Sequence, residues 1–413
     1  MSEANTQPNE KTPVGILRLY LALCVIRNHA EAVLPWKTHG GQDAVQIFFI
    51  ISGFYMQFIL GAGKYGTIGE FYLSRWLRIF IPYLIATVLI VIASVATGLV
   101  TGDFLTLAAT VHPEGNGLLG TALALLTNVT VFFQDWIMFL AHETGEPLRF
   151  TADYRADPHP LYRYLWIPPA WSVGVELTFY VIAPFLVRRL SSPGIGLVMA
   201  LSFAARLFCC ARLGLDHDPW TYRFFPFELF HFCLGILACR LMLRFAPAFD
   251  RITAATGGLA DRLGLLFMPL MAAFVLALAR LHLLGTVFIR SRVAALAVGS
   301  DAASMALSQG LAMAAWVALV PVLFSMTRRL AADRFIGELS YPVYLLHYTV
   351  VLIVNAILPA FHLPGAINGE VAAIVSVLAA MLLHVAVLQP FDGWRQRTVL
   401  ARAPRPAGSG LRV

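Results

Sequence analysis

Residues 79–99 of the chain read IFIPYLIATVLIVIASVATGL, a run in which no side chain carries a charge. A transmembrane helix needs about 20 such residues, because the hydrocarbon core of a bilayer is about 30 Å thick. The composition of the whole chain agrees, since 59% of its 413 residues are hydrophobic and 13% are charged. Soluble proteins carry about 25% charged residues. We therefore expect an all-α, polytopic integral membrane helix bundle.

Apolar runs of similar length recur along the chain and predict ten transmembrane helices. They lie near residues 14–34, 43–61, 76–99, 170–190, 193–213, 223–245, 264–288, 303–327, 339–360 and 368–391. Arginine and lysine collect in the cytoplasmic loops of membrane proteins. If the chain has ten spans and both termini lie in the cytoplasm, the basic residues next to the even-numbered connections and at the C-terminus all lie on the cytoplasmic side. They are Lys64, Arg75, Arg78, Arg188, Arg189, Arg240, Arg244, Arg251, Arg262, Arg328, Arg329, Arg334, Arg395, Arg397, Arg402 and Arg405.

An eleventh apolar run, residues 118–140, does not fit this topology. A full span there would invert every later loop, and Asn128, Gln134 and Asp135 would be costly against lipid. We expect a re-entrant or protein-buried helix, where protein or water covers such groups. Residues 141–169 then form the largest external loop, a place where recognition residues are often found.

The ends of the chain differ from its centre. Residues 1–13 are polar and lack the basic start of a cleavable signal peptide, so we expect them to be retained. We place the membrane domain at residues 14–392, with no soluble catalytic domain attached. Residues 393–413 form a basic tail rich in proline and glycine. We expect both ends to be cytoplasmic and disordered.

Several functional classes find no support in the sequence. The net charge of +7 follows from the basic loops, and no basic patch with interleaved aromatics indicates nucleic-acid binding. The five cysteines lie in apolar segments without a metal-ligand spacing. The chain contains no GxGxxG, Walker or HExxH motif. We therefore expect no metal site and no bound cofactor.

Arg18 and His29 lie within the first span and share one helix face. They are eleven residues apart, which places them roughly 16 Å apart along an α-helix and pointing in almost the same direction. A cation and an imidazole inside a membrane helix are costly and usually mark a functional pathway. In the predicted topology, Arg18 lies near the cytoplasmic end and His29 near the external end. The alternative is a structural hydrogen-bond network between helices.

Two further arginines stand at the cytoplasmic start of the third span. Arg75 and Arg78 are three residues apart and therefore on one helix face. Together with Arg18 they suit an anionic, phosphorylated donor that arrives from the cytoplasm, because guanidinium groups bind phosphate with two hydrogen bonds. Alternatively, Arg75 and Arg78 are anchors that reach the lipid head groups.

An acid–base pair is expected on the external side. Glu176 lies in the outer half of its span, at about the depth of His29. A neutral imidazole oriented by a carboxylate can deprotonate a hydroxyl group, so we expect His29 and Glu176 to act together. Alternatively, Glu176 forms a structural ion pair with Arg27 or Arg163.

Other polar residues lie deeper in the predicted bundle. Ser52 is near mid-membrane, and the adjacent Gly53 allows the close approach of a backbone or an acyl-carrying arm. The alternative for both is helix packing. Tyr344 and His347, three residues apart in the inner half of the ninth span, could equally form hydrogen bonds between helices. Spacing alone thus indicates a membrane enzyme or a transporter with a polar interior.

Five local motifs, in order, resemble those of the membrane-bound acyltransferase 3 family. The strings are ILRLYLALCVIRNH at 16–29 (R-x10-H), FFIISGF at 48–54, FYLSRWLRIFIPY at 71–83 (RxxR), WSVGVELTFY at 171–180 and GELSYPVYLLH at 337–347. The family also has ten spans. Its bacterial members O-acylate surface polysaccharides, lipopolysaccharide, Nod factors and other exported glycans.

The resemblance implies an O-acyltransferase of the bacterial inner membrane. It would move an acyl group, acetyl by default, from cytoplasmic acyl-CoA to a hydroxyl group of an exported polysaccharide, lipopolysaccharide or other glycan. His29 would be the essential catalytic histidine, and the arginines would serve the acyl-CoA donor. The further site residues are Glu176 and His347, with less defined roles. The alternative is a secondary transporter of an anionic solute or glycan precursor, although no internal repeat is evident.

One residue departs from the family pattern. The family usually has an acidic residue shortly before the paired phenylalanines, whereas this chain has Gln46. Asp43 or Glu176 must supply that carboxylate, or the reaction manages without it.

Acceptor choice is expected to rest with aromatic residues of the external loop, because aromatic faces suit sugar rings. The alternative is a belt that anchors the bundle at the membrane interface. These residues are Tyr154, Tyr162, Tyr164 and Trp166.

Overall fold

The computed structural model describes residues 13–30, 38–112, 117–295, 301–357 and 367–400, and these are mostly helical. The helices are α1 (Gly15–His29), α2 (Gly41–Gly61), α3 (Ile68–Thr101), α4 (Ala108–Val111), α5 (Leu118–Thr130), α6 (Trp171–Arg189), α7 (Ser192–Leu213), α8 (Phe225–Arg244), α9 (Ala246–Leu263), α10 (Phe267–Ala295), α11 (Asp301–Ala314), α12 (Trp316–Thr327), α13 (Ala331–Ile357), α14 (Asn368–Leu383) and α15 (Gln389–Arg395). A single hairpin of two short strands, β1 (Leu140–Ala141) and β2 (Arg149–Phe150), completes the secondary structure of the described residues apart from 3₁₀ and π turns.

The fold class predicted from the sequence is confirmed. Nine helical segments in the described part of the chain are long and apolar enough to cross a bilayer. Each of the ten predicted spans coincides with helical structure. The first of them is α1, which has 15 described residues. The predicted continuation of that span, residues 31–34, lies outside the described residues.

The apolar run predicted to be re-entrant or buried forms a short helix and a tight turn. α5 has 13 residues, too few to cross a bilayer. Asn128, at its end, is fully buried; its amide donates to the Tyr164 carbonyl at 2.6 Å and its Oδ1 accepts from the Trp166 N–H at 3.0 Å. Gln134 is buried as well and donates to the Tyr83 hydroxyl at 2.7 Å. Protein therefore covers the polar groups that lipid would not tolerate.

Close helix crossings hold the centre of the bundle together. α2 packs against α8, and α1 packs against both α2 and α13. A Cβ at Gly53 would collide with the Phe232 carbonyl, and one at Gly235 would collide with the Ile50 carbonyl. These two glycines let the backbones of α2 and α8 touch. Either a backbone or an acyl-carrying arm was considered as the close neighbour of Gly53, and the structure shows a helix backbone, that of α8.

Helical structure continues past residue 393, where the basic tail was predicted to begin. The chain remains helical from α14 through α15 to Leu400. Arg395 is fully buried, donating to the Ser74 hydroxyl at 2.5 Å and pairing with Asp392 at 3.0 Å. Hydropathy does not identify such a segment, because its burial depends on polar contacts with α3. Residues 1–12 and 401–413 lie outside the described residues.

Candidate active site

A cavity of about 140 Å³ brings together most of the residues predicted from the sequence to form a site. It is enclosed by α1, α2, α3, α6 and α13. The predicted residues that line it are Arg18, Ser52, Arg75, Arg78, Glu176 and Tyr344. We call this space the inner cavity, because it contains the arginines assigned to the cytoplasmic half.

Arg18 is positioned by α13. The Asp333 carboxylate of α13 accepts the N–H groups of Gly15 and Ile16, at 2.9 and 3.0 Å, and so caps the start of α1. A helix N-terminus favours such a carboxylate, because its first N–H groups have no partner within the helix. One turn further on, Arg18 Nε donates to the Ser340 hydroxyl, also of α13, at 3.0 Å.

Arg75 and Arg78 face the inner cavity. Arg75 is only 6% exposed and donates to the Tyr65 hydroxyl at 2.8 Å. Arg78 pairs with Glu338 at 3.1 Å. A lipid anchor would extend toward the membrane surface, so these contacts favour the cavity interpretation over the anchor. The carboxylates of Glu176, Glu338 and Asp392 share the lining with the three arginines.

Glu176 is held by two hydroxyl groups. Ser52 Oγ donates a short hydrogen bond to Glu176 Oε1, and the Tyr180 hydroxyl donates to the same atom at 2.5 Å. The alternative of an ion pair with Arg27 or Arg163 is not what the structure shows, because those two side chains bond to loop residues instead. Glu176 therefore belongs to the inner cavity, with Ser52 beside it.

A second cavity, of about 550 Å³, lies on the other side of these residues and is lined by His29. We call it the outer cavity. His29 is the last residue of α1, and its side chain is exposed to this space. The ring centre of His29 lies 5.3 Å from that of His347 and 5.3 Å from that of Tyr348.

His347 is fully buried beside His29, and its tautomer follows from its contact. Its Nδ1 lies 2.5 Å from the Tyr344 carbonyl oxygen. A carbonyl oxygen only accepts, so Nδ1 carries the proton and Nε2 of the neutral ring keeps a lone pair. Nε2 has no hydrogen-bond partner among the described residues. The ring contacts thus give His29 a second imidazole as a neighbour, at the same distance as Tyr348.

Two expectations concern the depth of His347 and the pairing of His29. His347 was expected in the inner half of its span, and it lies in the C-terminal half of α13, which begins at Ala331. His29 was expected to pair with Glu176. Glu176 lines the inner cavity and His29 the outer one, so the structure gives His29 a histidine neighbour instead.

The two cavities adjoin at α2 and α13. Val45 and Tyr344 line both of them. The Tyr344 hydroxyl hydrogen-bonds the Pro169 carbonyl and the Ser172 hydroxyl, each at 2.7 Å, which ties α13 to the start of α6. A group that passes between the arginines and His29 would therefore pass beside Tyr344.

A comparison with protein-family models identifies the chain. The model described as an acyltransferase domain, Acyl_transf_3, matches residues 16–388. The chain belongs to the acyltransferase 3 family. It is thus a membrane enzyme that transfers acyl groups to hydroxyl groups, and the alternative of a transporter falls away. Searches of the curated proteins and of the solved structures returned no match.

In this acyltransferase, Gln46, the residue that departs from the family pattern, contacts a carboxylate on another helix. Gln46 is fully buried, and its amide donates to Glu228 Oε1 of α8 at 3.1 Å. Asp43, one of the two expected substitutes, instead accepts from Gln309 at 3.1 Å. The carboxylate beside Gln46 thus comes from α8. Glu228 was not predicted from the sequence, although an acid within the apolar run 223–245 was a signal for it.

The aromatic residues of the predicted external loop divide between two locations. Tyr154 and Tyr162 line the outer cavity. Tyr164 is fully buried, and Trp166 donates from its indole to the Thr110 hydroxyl at 3.1 Å. No group of three or more metal-ligating side chains occurs among the residues that the structure describes.

Proposed function

We propose that this acyltransferase moves an acyl group, acetyl by default, from acyl-CoA on the cytoplasmic side to a hydroxyl group of an exported glycan. The observation that supports this proposal most directly is the pair of adjoining cavities. One contains three arginines and the other contains His29. The acceptor would be a polysaccharide, lipopolysaccharide or other glycan at the outer face of a bacterial inner membrane. Both termini would then be cytoplasmic.

The inner cavity would receive the donor. Sites for small ligands usually measure about 300–1,000 Å³, whereas this cavity measures about 140 Å³. A slim acyl-pantetheine arm suits it better than a whole nucleotide. Arg75 and Arg78 would bind the phosphates, since guanidinium groups match phosphate oxygens. Glu338, which pairs with Arg78, would compete with the donor for this arginine.

The outer cavity would hold the acceptor, and His29 would act as the general base. The acceptor oxygen attacks the thioester carbonyl carbon while His29 takes the hydroxyl proton. The carbon–sulfur bond then breaks, coenzyme A leaves as a thiolate, and the proton passes from His29 to that sulfur. The products are an ester and free coenzyme A, and His29 returns to its neutral form.

His347 and Glu176 would act as positioning residues. The Nε2 lone pair of His347 can accept the ring N–H of His29 after a small rotation, which would direct the other His29 nitrogen toward the acceptor. Glu176, held by Ser52 and Tyr180, would fix the wall along which the acyl arm passes. Tyr344 lines both cavities and would stand where the two substrates meet.

The deciding experiment replaces His29. Purified His29→Ala protein in liposomes, given labelled acetyl-CoA and a crude surface-glycan extract, should lose transfer by about 100-fold or more, as expected for a lost general base. His159→Ala is the matched control, because His159 lies in the external loop and lines neither cavity. Normal labelling by the His29 variant would contradict the mechanism.

A further inference from the structure

The loop between α7 and α8 contains a buried carboxylate that organises the rim of the outer cavity. Asp218 Oδ1 accepts from Arg223 Nε at 2.5 Å, and Oδ2 accepts from the Tyr154 hydroxyl at 2.6 Å. Oδ2 also accepts from Arg155 Nη2 at 2.8 Å and from the Tyr222 hydroxyl at 3.0 Å. Four side chains from two loops thus converge on one acid. We call these five residues the rim cluster.

The rim cluster carries an excess positive charge. Burial alone would raise the pKa of Asp218, but the hydrogen bonds and charge of Arg223 hold it below the usual range. Asp218 is therefore ionised at neutral pH and cancels one of the two arginines. One unit of positive charge remains, and a partly buried cation is stabilised by an anion that binds beside it.

Both arginines line the outer cavity together with His29. The guanidinium of Arg223 lies over the rings of Trp171 and Tyr222, 4.6 Å from each centre. The side chain of Arg155 is 65% exposed and stands at the rim. The excess charge is therefore near the reacting end of the cavity.

The lining suits a sugar as well as a charge. The volume of about 550 Å³ lies within the roughly 300–1,000 Å³ range of ligand sites. Tyr154, Trp171 and Tyr222 offer aromatic faces next to Arg223. An aromatic wall with a fixed cation is suited to a sugar ring that carries an acidic substituent.

We infer that the outer cavity selects acceptors whose sugar carries an acidic group, a carboxylate or a phosphate, which binds the arginines of the rim cluster. This inference rests on the proposed function and adds the substrate class to it. The acidic group would sit against Arg223 and Arg155, and that contact would bring a neighbouring hydroxyl group to His29. A purely structural cluster would pin the two loops together without any such preference.

Binding of defined sugars tests the inference without relying on transfer. The probes are methyl glucuronide, glucose 6-phosphate and neutral methyl glucoside. Their binding to the purified full-length protein is measured by the quenching of tryptophan fluorescence. Trp171 lies in the cavity wall and should report occupancy. We expect at least one acidic sugar to bind about tenfold more tightly than methyl glucoside, because charge-assisted hydrogen bonds are about twice as strong as neutral ones. Which acidic sugar it is distinguishes carboxylate from phosphate recognition.

Variants assign the preference to the rim cluster. Arg155→Gln should weaken acidic-sugar binding about threefold, the scale of an exposed ion pair, and leave methyl glucoside unchanged. Arg155→Lys should retain most of the affinity. The control is Arg163→Gln, an exposed arginine of the same external loop that lines neither cavity. The triple variant Arg155→Gln/Arg223→Gln/Asp218→Asn removes all three charges of the rim cluster, leaves no buried charge unpaired and should abolish the preference.

The outcomes separate this inference from the proposed function. Equal affinity for the three sugars, or binding of none of them, overturns the inference even if His29→Ala abolishes acyl transfer. A preference that survives the triple variant also overturns it. A preference that the triple variant removes supports it, whether or not acetyl-CoA proves to be the donor.

Discussion

The imidazole rings of His29 and His347 lie side by side, with their centres 5.3 Å apart, although 318 positions separate the two residues in the chain. α1 and α13 carry one ring each, and the packing of these helices brings the rings together. His29 faces the outer cavity and His347 is enclosed behind it. The base proposed for the reaction thus has a buried imidazole beside it.

The first prediction concerns this partner. His347→Gln should lower kcat by about 10–100-fold and leave the KM for acetyl-CoA within about twofold, because His347 would orient His29 without contacting the donor. Initial rates of label transfer at varied acetyl-CoA give both constants. His112→Gln, a histidine lining neither cavity, is the control. A variant with normal kcat would show that the ring contact has no part in catalysis.

The second prediction concerns the cap on α1. Asp333→Ala removes the acceptor of two N–H groups and should cost about 0.5–2 kcal/mol of stability. Arg18 lies one turn away, so the KM for acetyl-CoA should also rise several-fold. Thermal unfolding in detergent and donor-dependent rates measure the two effects. Ser191→Ala removes a comparable cap from α7, which lines neither cavity, and should lower stability alone. If both variants keep the wild-type KM, the cap does not position Arg18.

Hydropathy, charge bias and short motifs were sufficient to predict the membrane-spanning helices and most of the residues that line the inner cavity. The R-x10-H spacing predicted that Arg18 and His29 lie at opposite ends of one face, and the structure places them at two cavities. Lipid imposes a strong requirement on each span separately, so a span can be recognised from its own residues.

Partners between helices were less predictable. The neighbours of His29 and Gln46 depend on how α1, α2, α8 and α13 pack, which involves residues far apart in sequence. α9 was missed for a related reason. Its sequence is not an apolar run, and it was interpreted as a connection, because hydropathy detects segments that cross lipid rather than helices in general.

The third prediction concerns pH and the turn after α5. Burial raises the pKa of Asp135 to about 7, since a carboxylate loses its hydration there. The native state therefore binds more protons than the unfolded state between about pH 4 and pH 7, and stability falls as pH rises through that window. The slope from this residue is at most about 1.4 kcal/mol per pH unit.

Asp135→Asn removes that titration. The variant should unfold at a higher temperature than the wild type at pH 8, and the difference should shrink as the pH is lowered toward 5. Melting curves in detergent at intervals of one pH unit provide the measurement. Asp261→Asn, an exposed substitution in α9, should follow the wild-type curve. Parallel curves for Asp135→Asn and the wild type would exclude Asp135 as the source of the pH dependence.

The last prediction uses the contact between Gln46 and Glu228. Gln46→Glu restores the acid common in the family, but it replaces a donor to Glu228, at 3.1 Å, with a second buried carboxylate. Two carboxylates this close cannot both be ionised at low cost, so the variant should be destabilised by about 3–5 kcal/mol. Adding Glu228→Gln moves the acid from α8 to α2 and recreates an amide–carboxylate contact. Most of the lost stability should therefore return.

A double-mutant cycle of unfolding free energies measures this coupling. Transfer rates of the double variant then show whether the reaction needs a carboxylate on α2 or only one at this contact. A rate near wild type would mean that Glu228 already serves the purpose of the missing family residue. Additive losses of stability in the double variant would instead mean that Gln46 and Glu228 do not interact, and the acid on α8 would need another explanation.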